Sequence, residues 1–89
     1  MFGKYSAQAV KGVSAVRTRK AEHLIARFRG RVSAMYALLG EEDLVLVVDL
    51  PSIEDAVKVS MGLNKLTGIA FRTVPAIPVS EFDKLVAEV

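Results

Sequence analysis

Cysteine and tryptophan are absent from this 89-residue chain, histidine occurs once, and only 7% of the residues are aromatic. Without cysteine there is no disulfide, no thiolate nucleophile and no cysteine-ligated metal. His23 stands alone, so neither a metal site built from this chain nor a cofactor is expected. The six glycines never fall into GxGxxG or into a GxxxxGK run ending in Ser or Thr, which excludes the common phosphate-cradling loops. No serine stands in a nucleophile-elbow context. No apolar run reaches the roughly 18 residues that cross a membrane. The N-terminus shows no basic stretch followed by an apolar run and a small-residue cleavage site, so nothing signals export and a cytoplasmic protein is expected.

What is present describes a folded domain. Hydrophobic residues make up 52% and charged residues 25%, which is outside the disordered range. Size scaling predicts that folding buries roughly 63% of the unfolded surface, enough for a small core and one domain over residues 1–89. The net charge of +2 hides an uneven distribution. Residues 1–40 carry eight basic side chains against Glu22, a net +7, and residues 41–89 carry four against nine acids, a net −5. Such asymmetry marks either an anionic partner or basic and acidic surfaces that meet within the fold or across a subunit contact. Arg17, Arg19, Lys20, Arg27 and Arg29 are the candidate anion-binding residues. The basic stretch lacks interleaved aromatics and shows no helix-turn-helix or zinc-finger spacing, so specific nucleic-acid readout is not expected.

The pattern alternates strands and helices without repeats. Phe2–Tyr5 is strand-like, and Ser6 is placed to cap a short helical turn over Ala7–Val13. Ser14 precedes a helix over residues 14–29, whose stripe is Ala21, Leu24, Ile25 and Phe28 and whose stop is Gly30. Arg31–Leu39 and Asp43–Leu50 form a hairpin around Gly40-Glu41-Glu42. Ser52 and Asp55 resemble a capping box ahead of a second helix, whose apolar residues are Ile53, Ala56, Val57, Met61 and Leu63 and whose end lies near Thr67-Gly68. Ile69–Val79 is strand-like, but Pro75 and Pro78 confine it to an edge or force it out of the sheet. Ser80 with Asp83 repeats the capping pattern before a terminal helix. This is the split βαβ, or ferredoxin-like, order βαββαβ with a C-terminal helix, an α+β fold.

Leu44–Val48 contains no polar residue, whereas a sheet with one face in water should alternate. Helices cover only one face in this topology, so a second subunit is expected on the other. With a hairpin loop of two or four residues, Val32, Ala34, Tyr36 and Leu38 share a face with Val45, Val47 and Asp49. Met35, Leu44, Leu46, Val48 and Leu50 then face the helices. A three-residue loop reverses that parity. Tyr36 and Asp49, with Tyr5 and Arg72 as neighbours, are the ligand-pocket candidates; no catalytic residue is identified.

The run from Arg31 to Asp49 resembles the signature of the GYD-domain family, small prokaryotic proteins named for a Gly-Tyr-Asp hairpin triplet, often within Gly-x-Tyr-Asp. Gly40 and Asp43 match the outer residues, and Glu42 stands at the tyrosine position. Ser60-Met-Gly-Leu-Asn-Lys-Leu-Thr-Gly-Ile and Val79-Ser-Glu-Phe82 are similar to the family as well. The resemblance implies a ferredoxin-like domain, often associating as a dimeric α+β barrel, with no established activity and with a few more residues in the first strand than are seen here. Gly40 is expected to supply a turn conformation that other residues resist.

The leading functional expectation is therefore a small oligomeric domain, most simply a homodimer, that binds a small molecule or a protein without catalysing a reaction. The alternatives are a cofactor-independent enzyme of the dimeric α+β barrel type and a weak anion or nucleic-acid binder using the Arg17–Arg31 helix.

Overall fold

A computed structural model describes all 89 residues. The elements run β1 (Phe2–Lys4), α1 (Ala7–Lys11), α2 (Ala15–Arg27), β2 (Arg31–Ala37), β3 (Leu44–Asp49), α3 (Ile53–Thr67), β4 (Ala70–Arg72) and α4 (Val79–Ala87). The four strands form one antiparallel sheet in the order β2-β3-β1-β4. One layer of helices covers one of its faces: Ala21 and Ile25 of α2 and Val59 and Leu63 of α3 meet Leu46 of β3 in the core. Gly62 lets α2 and α3 approach closely, because a Cβ there would come within 3.1 Å of Leu24.

Several ends form as the local chemistry dictates. The hydroxyls of Ser6, Ser14 and Ser52 accept the N–H groups of Ala9, Arg17 and Asp55, satisfying donors that a helix start leaves free. Ser52 also donates to the Asp55 carboxylate at 2.8 Å. α3 ends at Gly68 in the left-handed conformation, φ 74°. The Asn64 amide donates to the Ile69 carbonyl at 3.0 Å and the Thr67 hydroxyl accepts the Ile69 N–H at 3.1 Å, clamping that turn.

Other expectations are corrected. α2 stops in a Schellman arrangement: the Gly30 N–H donates to the Ile25 carbonyl and the Arg29 N–H to the Ala26 carbonyl. Arg29, not Gly30, takes the left-handed conformation, φ 60°. Gly30 is required for space instead, because a Cβ would sit 2.5 Å from Leu50 Cδ2 and 2.7 Å from Ile25 Cγ2. Gly40 has no positive φ and open space around it, so it supplies no backbone conformation that other residues would resist. On α3 the inward stripe is Ala56, Val59 and Leu63, while Ile53, Val57 and Met61 point outward and are exposed. The expected last strand is short: only Ala70–Arg72 pairs, at the sheet edge, and the chain has left the sheet before Pro75. Ser80 caps nothing. Pro78, at φ −57° and ψ 143°, occupies the N-cap position of α4 without any side-chain hydrogen bond.

Candidate functional site

The sheet face away from the helices is where the chain leaves apolar and polar side chains together without cover. Its parity follows from the hairpin. Leu38 N–H donates to the Asp43 carbonyl at 2.8 Å, which closes a four-residue loop over Leu39–Glu42. The register Tyr36↔Val45, Val45↔Phe2 and Phe2↔Arg72 then lays one row of side chains across all four strands. The next row pairs Ala34 with Val47, and Arg31 faces Asp49 beyond it. A bulge at Ser33 shifts the register between Val32 and Ala34. Val32 thereby turns to the helix side, where it packs against the core, and does not share the face of Tyr36.

Tyr36 is 62% exposed and Val47 51%, values typical of solvated positions although neither residue is charged. The polar groups around them are held by one another. The Arg72 guanidinium lies 4.6 Å from the centre of the Phe2 ring, a cation–π distance. It also pairs with Glu42 of the hairpin loop at 3.2 Å. Asp49 accepts from Ser33 at 3.0 Å and from Arg31 at 3.4 Å, so its carboxylate fastens the bulge. The amine of Met1 donates to the Leu46 carbonyl at 2.8 Å and extends β1 by one residue. Burial, and secondarily the positive charge of Arg72, hold this amine below its ordinary value of 8.0.

Tyr36, Arg72 and Asp49 thus lie on one face, and Tyr5 does not join them. Tyr5 is on the helix side, where the Arg17 guanidinium lies 5.8 Å from its ring centre. It borders a cavity of about 70 Å³ shared with Val13, Ala21 and Phe71. That space takes no more than a few waters. Phe2 and Glu42 belong to the site but were not among the pocket candidates read from the sequence. Phe2 carries a signal there, as an apolar strand residue of the same parity as Val45; Glu42 carries none, since its partner lies thirty residues away.

The basic residues on and just after α2 differ in their surroundings. Arg17 donates to the Ala9 carbonyl and stacks on Tyr5, which ties it to α1. The Arg27 guanidinium lies 5.7 Å from the Phe28 ring. Arg19, Lys20, His23 and Arg29 are exposed. Nowhere do three or more His, Asp or Glu side chains converge in metal-binding geometry, and no helix is long and apolar enough to cross a membrane.

The hairpin that carries Gly40 and Asp43 has a structural logic of its own. The Asp43 N–H donates to the Gly3 carbonyl at 2.9 Å, and its carboxylate accepts the Tyr5 N–H at 2.8 Å. This aspartate therefore locks the hairpin base to the end of β1 and aligns the row on the open face. A family model described as GYD domain matches residues 1–86. No curated protein and no solved structure gives a match. A match over nearly the whole chain is decisive: the protein belongs to the GYD-domain family.

Proposed function

We propose that this GYD-domain protein is a small ligand- or protein-binding domain without catalytic activity, working in the cytoplasm. In this reading its sheet and helices form a ferredoxin-like unit, and two units associate through their open sheet faces as a dimeric α+β barrel. The observation that supports it is the uncovered apolar row of Phe2, Val45 and Tyr36, continued by Ala34 and Val47. The solvent-accessible surface is 6,555 Å², against about 5,100 Å² expected for a compact monomer of this mass. Apposed sheets stand about 10 Å apart, and the residues that would border a ligand between them are Tyr36, Arg72 and Asp49. Glu42 and the Phe2 ring hold Arg72 in place, so its guanidinium is presented in a fixed orientation. On this face the Asp49 carboxylate is held by Ser33 and Arg31 and Glu42 is paired with Arg72, which leaves the Tyr36 phenol without a partner group to act with and favours binding over catalysis.

The test is the native mass of freshly purified protein under gentle ionisation. A dimer carrying reproducible extra mass supports a ligand-binding domain, and that mass should fall away in Tyr36→Phe if the hydroxyl contacts the ligand. A dimer without extra mass supports a protein-binding domain. A monomer overturns the reading.

A further inference from the structure

The C-terminal arm is the part of the chain that its own body leaves bare. Every residue from Thr73 to Val89 is exposed, and α4 has no buried residue. Yet α4 is amphipathic: Val79, Phe82, Leu85 and Val86 line one side, each at least half exposed. Its nine residues are fewer than the roughly 12–15 that an isolated helix needs to persist in water. The arm is also integral to the domain, because the family match runs through residue 86.

We infer that a second copy of the chain covers this helix, the two copies exchanging arms reciprocally. Each arm would lie on the α1–α2 corner of its partner, where Val10, Val13 and Val16 are exposed. The inference rests on the sheet-face dimer proposed above and adds to it a second, separate contact.

Three observations argue for a partner copy. First, the arm is directed away from its own body. Thr73 is anchored to Ser60 through their hydroxyls at 2.7 Å. Pro75 and Pro78 then restrict their own φ and hold Val74 and Ile77 extended. The molecule measures 48 × 30 × 18 Å, and its radius of gyration is 14.3 Å, where a compact domain of this length would have about 12 Å. Second, the surplus of exposed surface fits. It amounts to about 1,450 Å² per chain over the compact expectation. For two copies that is about 2,900 Å², shared between the arms and the open sheet faces, and burying both together falls within the range of obligate homodimers. Third, the charges are complementary. The arm carries Glu81, Asp83 and Glu88 against Lys84 alone, while Lys11, Arg19 and Lys20 flank the valines of the corner. A twofold axis makes the contact reciprocal, so one self-complementary pair of surfaces closes the dimer.

The absence of cysteine makes a clean test. Val13→Cys and Leu85→Cys chains are mixed and oxidised, and the double variant is oxidised in parallel at low concentration. The expected products are a disulfide-linked pair of chains from the mixture and a covalent dimer from the double variant. An internal disulfide in a monomeric double variant, or no cross-link in the mixture, overturns the inference. A second measurement separates it from the sheet-face reading. Phe82→Glu/Leu85→Glu should raise the dimer Kd at least 100-fold while the circular dichroism of the body persists. If that variant dimerises normally while Tyr36→Glu/Val47→Glu does not, the arm exchange fails and the sheet-face dimer stands. If Tyr36→Glu/Val47→Glu leaves the dimer intact, the sheet-face reading fails.

Discussion

The two faces of this sheet are made from the same kinds of residue and have opposite fates. On β3, Leu46 is almost completely buried beneath α2 and α3, while Val47, its immediate neighbour, is half exposed on the other side. Hydrophobicity along the strand does not distinguish them; only the position of the helices does. An apolar side chain contributes to stability where something removes it from water. The covered face is therefore where this fold derives its stability, and the open face contributes only if a partner covers it.

The largest expected effect tests that difference directly. Leu46→Ala should cost about 2–5 kcal/mol in chemical denaturation, independent of protein concentration. Val47→Ala should cost less, and its cost should grow with protein concentration, because burial at Val47 comes only with association. Equal and concentration-independent costs would mean that the two faces are not different in kind.

Next in size is the glycine pair. Gly30→Ala pushes a methyl group into Leu50 and Ile25 on the covered side and should cost about 1–3 kcal/mol, read as a lowered unfolding midpoint. Gly40→Ala meets open space and should be neutral in the same assay, although Gly40 lies in the turn that marks the family. A large cost at Gly40 would show that the loop packs against something the isolated chain lacks.

Asp43→Ala should cost about 1–2 kcal/mol by leaving the Tyr5 N–H without its acceptor. Because Asp43 aligns β1 with the hairpin, the same substitution should weaken dimerisation in light scattering. Stability lost without any change in association would place the aspartate's role wholly within the monomer.

The smallest effect concerns pH. The Met1 amine binds its proton less tightly in the folded chain than in the unfolded one, since burial and then Arg72 disfavour the charge. Stability should therefore rise with pH across the interval from that lowered value up to 8.0 and level off above it. Thermal unfolding between pH 6 and 9 should show the rise in the free chain and not in an N-acetylated one. Arg72→Ala should reduce it. If a second copy covers the open face, the rise should steepen with protein concentration.

Local chemistry made some of this molecule readable in advance. The serines ahead of α1, α2 and α3 cap as their positions suggest, because a cap is a bond between residues three apart. Ser80 looked alike, but Pro78 set the start of α4 two residues earlier, with an extended backbone in place of a side-chain bond. The sequence assigns no inward side to α3, because apolar residues line both sides of that helix, and only contact with Leu46 and α2 decides which side is core. The position of Tyr36 opposite the helices hung on the length of the hairpin loop, which the sequence left open between even and odd and the Leu38–Asp43 hydrogen bond fixes at four residues. The turning of Val32 away from it did not, because a bulge costs one extra residue in a strand and carries no residue signature here. Tyr5 and Arg17 stand twelve residues apart in the sequence with nothing to relate them, and folding brings the guanidinium to 5.8 Å from the ring centre.

Residue order alone was enough for the alternation of strands and helices, the presence of a hairpin around Gly40 and the excess of apolar residues on β3, since each depends on neighbours a few positions apart. Tertiary structure decided which face of α3 is buried, why Gly30 must be glycine, and that Glu42 meets Arg72 over Phe2. It also decided that the chain beyond Thr73 is exposed throughout. Those outcomes depend on what lies across space from each residue, and the spacing of residues along a chain does not encode that distance.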